Sequence, residues 1–252
     1  MMARAVANEF AKMRRLRTVP VLAVMVIGVV TLSSYAFTTP GFMDSLEDPA
    51  AHPWQRLLVG LAFAVPLVSP ILLAVLASRQ VDIEHQGNGW LLAQTSGLTP
   101  GRLCRAKFAA LGALLVTATL VQSALVAALG WAAGITVEFP ADPWLGYTAA
   151  AVVVNLVLLA LHLLLAARVA NQLVGLGIGV LGVFVSLSST GMPPWLSHLF
   201  PPWGYYALAT PVDIAGSGTI ALDPHHLSVL ALAIAGAALF LLATRLFDRQ
   251  EA

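Results

Sequence analysis

Residues 57–77 read LLVGLAFAVPLVSPILLAVLA, an unbroken run without a single charge. At about 1.5 Å of rise per helical residue, this stretch covers the roughly 30 Å hydrocarbon core of a bilayer. It is too long, and alternates too little, to be a barrel strand. Backbone groups in lipid have to be satisfied within the segment, so the run predicts a transmembrane α-helix.

Working outward, five more stretches of the same kind follow from the pattern: Thr18–Thr38, Phe108–Gly134, Tyr147–Ala167, Gln172–Thr190 and Leu227–Thr244. The 252-residue chain is 59% hydrophobic and only 10% charged, against about 25% charged in an ordinary soluble domain. A soluble core has no room for so much apolar surface, so lipid is the solvent for much of it. The fold class expected is an all-α integral membrane protein with six transmembrane helices. The single Cys104 excludes an intrachain disulfide and gives no basis for a structural zinc site.

Charge sets the orientation. With both ends inside, every lysine and arginine except Arg56 falls in a cytoplasmic piece, 12 of the 13 in total. A multi-pass protein of a bacterial plasma membrane fits this bias. The basic residues Arg14 to Arg17, the run Val19–Val30 and Ser34-Tyr35-Ala36 also fit a cleavable signal peptide. The apolar run continues to Thr38, however, and reads as an uncut first span.

The flanking segments carry further information. Residues 1–17 place Met2, Val6, Phe10, Met13 and Leu16 on one helical face and Arg4, Asn8, Lys12 and Arg15 on the other. That is the pattern of an amphipathic helix in the headgroup layer; residues 18–252 then form the six-helix membrane domain. In the outer loop Pro40–Gln55, His52-Pro53-Trp54 marks a helix start. Asp142-Pro143-Trp144, with Asp142 as N-cap, and Asp223-Pro224 do the same for the fourth and sixth spans. The outer segment 191–226 is rich in proline, tryptophan and tyrosine, and its pieces Leu196–Phe200 and Trp203–Thr210 predict short interfacial or re-entrant helices.

The inner segment Ser78–Lys107 is the most informative polar stretch. Asn88-Gly89 signals a turn, Gly97 a helix stop and Thr99-Pro100 a new helix start. One or two short helices fit between them, and they present Trp90, Leu91 and Leu92 on the cytoplasmic side. Such a triplet either lies on the bilayer or is a docking element for a cytoplasmic partner.

Candidate chemistry is sparse. No phosphate-binding loop is present. Gly177-Ile178-Gly179-Val180-Leu181-Gly182 matches a dinucleotide fingerprint in spacing, but it lies inside an apolar helix without a preceding strand. Gly175, Gly179, Gly182 and Ser186 instead form a small-residue stripe for helix packing. Asn155 and His162 share one face of the fourth span, and with Gln122 they are read either as interhelical hydrogen-bonding groups or as cavity lining. Asp223, His225 and His226 match no metal-site spacing, no nucleophile elbow occurs, and nothing points to nucleic acid.

The run Val81-Asp82-Ile83-Glu84-His85-Gln86-Gly87-Asn88-Gly89-Trp90, followed by Thr99-Pro100-Gly101-Arg102 and Arg105-Ala106-Lys107, resembles permease subunits of type-2 ABC exporters. The likeness is to the lantibiotic-immunity and bacitracin-type branch. That family has an acidic residue after the second span, a Gly-rich turn, a short helix and a lysine opening the third span; Glu84, Gly87 or Gly89, and Lys107 stand in those places. The resemblance implies that this chain pairs with a second permease, identical or paralogous, and with two copies of a separate ATPase. ATP and magnesium would be bound by that ATPase, and this chain would hold no cofactor. The segment Asp82–Ser96 would be the coupling element, with Asp82, Glu84, His85, Trp90, Leu91 and Leu92 facing the ATPase. An apolar or amphipathic cargo, such as a peptide antibiotic or a lipid, is expected. The alternatives are a non-transporting membrane sensor or assembly subunit, and a membrane-embedded enzyme, which would need clustered ionisable groups at one depth.

Overall fold

A computed structural model describes residues 2–215 and 218–250. Among these residues ten α-helices, α1 to α10, follow one another, with three 3-10 turns and a short hairpin between them. Six are long and apolar enough to cross a membrane: α2 (Thr18–Ser33, continued by a 3-10 turn to Thr38), α3 (Pro53–Gln86), α5 (Pro100–Ala133), α6 (Ala141–Arg168), α7 (Gln172–Ser189) and α10 (His226–Gln250). The number of spans matches the sequence reading. Their lengths do not: α3 and α5 each run 34 residues. The polar ends of the expected inner loop are therefore helical, because the Glu84 and Lys107 side chains find partners inside the protein rather than in water.

Helix α3 is the central post. It packs against α2, α6 and α7 along its length, and Leu57, Leu61, Ala64, Leu73 and Ala77 are buried against them. Helix α5 packs on α2, α6 and α10, while α7 and α10 sit at the periphery. Two prolines, Pro66 and Pro70, lie inside α3, tolerated where neighbouring helices cover the freed carbonyls.

Helix α1 (Met2–Arg15) folds back at Arg17, which adopts a left-handed conformation with φ 52°. The turn is held by the Arg79 guanidinium, whose Nη2 donates to the Leu16 carbonyl at 2.7 Å. The helix is thus seated on the bundle. Its inward face is Ala5, Glu9 and Met13, rotated away from the predicted apolar face, so that Met2 and Phe10 remain exposed.

The outer end is closed by aromatic rings. Trp54 sits edge-on to Trp131, Phe139 and Trp144, with centroids 5.4, 5.0 and 6.0 Å away. Its indole N–H donates to the Val137 carbonyl at 2.9 Å. A Cβ on Gly130 would strike the Trp54 ring, so α5 approaches closely only because that position is bare. Asp142 does not cap α6: the helix begins at Ala141 and Asp142 lies in its first turn. The outer segment holds the short helices α8 (Pro194–Ser197) and α9 (Tyr205–Ala209) and an antiparallel hairpin, β1 (Val212–Ala215) and β2 (Gly218–Ala221), absent from the sequence reading. Trp54 is 1% exposed and stands ring to ring with Phe139 at 5.0 Å. Trp54→Ala is expected to cost about 3–5 kcal/mol, read as a lowered unfolding midpoint in detergent; an unchanged midpoint contradicts the aromatic clamp.

Candidate functional site

At the end of the bundle that carries most of the basic residues, α3 runs past Ala77 for more than two turns. Gln80 and Glu84, four residues apart, therefore share its inward face. Lys107 faces them from the start of α5, and Glu9 comes down from α1. The Lys107 ammonium, with none of its surface exposed, donates to Glu9 Oε2 at 2.8 Å, to Glu84 Oε1 at 2.7 Å and to the Gln80 carbonyl at 2.9 Å. Gln80 Nε2 also donates to Glu9 Oε2, at 2.8 Å. Lys12 closes the group, donating to Glu84 Oε1 at 2.6 Å and Glu9 Oε1 at 2.7 Å.

Two carboxylates and two ammoniums thus make a formally neutral quartet. Removing one charge from such a group leaves another unpaired out of water, which is far more costly than never burying the pair. Burial opposes the charge on Lys12, but hydrogen bonds to Glu84 and Glu9 and their negative charges win, so its pKa lies above the ordinary lysine value of 10.5. A raised lysine pKa stabilises the folded form fully below the ordinary value, and that contribution is lost only as pH rises above it. Docking of α1 through Lys12 is consequently insensitive to pH across the neutral range.

Helix α4 (Gly89–Thr95) stands directly on this quartet. Asn88 makes the turn in a left-handed conformation, φ 49°. A Cβ on Gly89 would run into the Glu84 carboxylate and lie 2.9 Å from Glu84 Cα. Trp90 packs on the core and lies edge-on to His85 at 5.9 Å. His85 in turn pairs through Nε2 with the Ala166 carbonyl of α6 at 2.9 Å. Leu91 and Leu92 point outward, 60% and 64% exposed. The six residues expected to face a partner are therefore divided. Glu84 and Trp90 are turned inward, His85 bridges α3 to α6, Asp82 accepts a hydrogen bond from Gln86 on α3, and Leu91 and Leu92 form the exposed tip.

A second lock joins α5 to α10. Asp248 accepts from the Gly101 N–H at 2.8 Å and from Arg105 Nη2 at 3.1 Å, while Arg105 Nη1 donates to Thr244 Oγ1 at 2.8 Å. A Cβ on Gly101 would meet the Thr244 carbonyl and the Asp248 carboxylate. The Arg168 guanidinium lies 4.5 Å above the Phe247 ring.

The interior polar residues also separate. Asn155 Nδ2 donates to Thr119 Oγ1 at 3.3 Å and its Oδ1 accepts from the Tyr206 hydroxyl, tying α6 to α5 and to α9. Gln122 and His162 are buried, and neither has a hydrogen-bond partner among the described residues. Along α7 the small-residue stripe is used only in part. Gly179 admits α3, where a Cβ would lie 2.9 Å from the Pro70 carbonyl, and Gly182 admits the Trp203 ring. Ser186 bonds back to the Gly182 carbonyl at 2.7 Å. Gly175 meets no neighbour, so its expected packing role is not seen within this chain.

Compared with known protein families, residues 5–186 match the family described as ABC-2 family transporter protein, 182 of the 252 residues. The chain belongs to the ABC-2 transporter family. Comparison with curated proteins finds no match. As an ABC-2 membrane protein it is a multi-pass permease subunit of an ABC transporter, and membership implies a partner ATPase component. The matched region takes in α1 from Ala5 onward, the quartet and α4.

Sequence reasoning missed Glu9, and with it the quartet. The signal was present: a lone acidic residue in the otherwise basic segment 1–17 has to be matched to a lysine elsewhere if that segment docks on the bundle. Lys107→Met is expected to destabilise the protein by about 3–5 kcal/mol. Adding Glu9→Gln, which restores neutrality, should recover a large part of the loss, measured as unfolding midpoints of both variants. A double variant no more stable than the single one removes the neutral-quartet account.

Proposed function

We propose that this permease is the membrane half of an ATP-driven exporter in a bacterial plasma membrane. It would work as a pair with a second permease and two copies of a separate ATPase, which binds the ATP and magnesium. Helix α4 is the coupling helix. The observation that carries this reading is the pairing of an exposed Leu91-Leu92 tip with a rigid base: Gly89 abuts Glu84, and Glu84 is ion-paired to Lys107 and Lys12. An apolar tip in water has a use when a groove of a partner covers it. A push on that tip is delivered to α3 through Glu84, to α5 through Lys107 and to α6 through His85, because all three contacts are short and buried or half-buried.

The pale polarity of the spans suits an apolar or amphipathic cargo, and a peptide antibiotic of the lantibiotic or bacitracin type is the cargo we favour. Nucleotide-driven closure of the ATPase pair would stabilise one of two arrangements of the permease pair more than the other.

Replacing Leu91 and Leu92 together by aspartate is expected to abolish copurification of the ATPase in stoichiometric amount while leaving the spans inserted. Copurification at the wild-type level would overturn the assignment of α4. Separately, an amphipathic peptide antibiotic should stimulate ATP hydrolysis by the reconstituted complex, and a complex that responds to none removes the cargo assignment.

A further inference from the structure

We propose that the groove between α5, α6 and α10 is a binding site for an anionic phospholipid, with an acyl chain in the groove and the phosphate at its arginine-rich mouth. The groove holds about 400 Å³ and is walled by Phe108 of α5, Val153, Val157 and Ala160 of α6, and Ala237 and Phe240 of α10. That volume is within the range of small-ligand sites, which run from about 300 to 1,000 Å³. Among the described residues the sole polar one lining it is Arg105.

Arg105 is aimed before any ligand arrives. Asp248 and Thr244 hold two of its donor groups, and the fork geometry leaves further N–H groups for a phosphate oxygen. The mouth gathers more positive charge. Arg245 and Arg249 lie four and eight residues beyond Leu241, which also lines the groove, and so continue its face of α10. Arg102 lies one turn before Arg105 on α5. Arg102, Arg245 and Arg249 are exposed. Among the described residues Asp248 is the one acid at this mouth, against four arginines, so an anionic group is attracted there.

The two halves of the site fit one kind of molecule. The walls are hydrocarbon, and the mouth is cationic on the side that the positive-inside bias assigns to the cytoplasm, where anionic lipid is concentrated and basic clusters beside spans collect it. Helix α10 is peripheral, packed on α5, α6 and α9, so the groove opens on the flank of the bundle, where lipid can enter laterally. A second copy of this chain docking about a two-fold axis here would set arginines against arginines, which disfavours it.

The test uses the purified full-length protein in detergent, with retained lipid counted by native mass spectrometry and binding followed through the thermal midpoint. The additives are phosphatidylglycerol, phosphatidylcholine and glycerol phosphate. Phosphatidylglycerol should be retained and should raise the midpoint, whereas the other two should not. Arg245→Gln with Arg249→Gln should weaken its binding roughly twenty-five-fold, at about a factor of five for each basic residue. Ala237→Phe, which fills the groove and leaves every charge in place, should weaken it as well. Equal binding of phosphatidylcholine would overturn the headgroup assignment, and an equal response to glycerol phosphate would overturn a lipid as the source of the phosphate. Wild-type binding by either variant set would overturn the location. None of these results depends on the ATPase or on transport.

Discussion

Lys107 carries a full positive charge at a point with no exposed surface, and the organisation of the basic end follows from having to neutralise it. Two carboxylates do so, one from its own neighbourhood in the fold, Glu84, and one from the beginning of the chain, Glu9. Two carboxylates and one ammonium would leave an excess negative charge, which Lys12 removes. The result is that α1, α3 and α5 cannot separate at this end without exposing an unpaired buried ion. The N-terminal helix is therefore part of the bundle rather than a loose leader, with Lys12 turned into the quartet and Met2 and Phe10 left exposed.

The two ends of the permease are rigid by different physics. At the outer end, Trp54, Trp131, Phe139 and Trp144 interlock through ring edges and faces, a contact that is dispersive and tolerant of small sliding. At the inner end the contacts are charged, short and directional. The α4 end is thus joined by directional charge contacts, and α9 is joined to α6 by the buried Tyr206–Asn155 hydrogen bond.

Several features escape notice until helices are placed side by side. Gly89 and Gly101 are bare because neighbouring oxygens occupy the space a Cβ would take, the Glu84 carboxylate at Gly89 and the Thr244 carbonyl with the Asp248 carboxylate at Gly101. In the sequence both read as turn and helix-start glycines. Gly175, Gly179 and Gly182 look equivalent along one helical stripe, yet α3 approaches at the second, Trp203 at the third, and nothing at the first. Asn155, Gln122 and His162 look alike as polar groups within spans, and only Asn155 is bonded to its neighbours.

Composition and runs of apolar residues were sufficient to specify six membrane-crossing helices, because in lipid each span satisfies its own backbone and needs no distant partner. The positions of Pro53 and Pro100 as helix starts, of Asn88 as a turn and of Gly97 as a helix stop were also local and hence readable. Pairings between remote segments were not. The Glu9–Lys107 contact spans 98 residues of chain, and no periodicity in either segment records it. Tertiary structure alone decided which face of α1 turns inward, that Glu84 is a buried pillar and not a surface contact, and where a groove remains between α5, α6 and α10. Charge neutralisation and close packing are properties of the assembled neighbourhood, which a local pattern of residues does not contain.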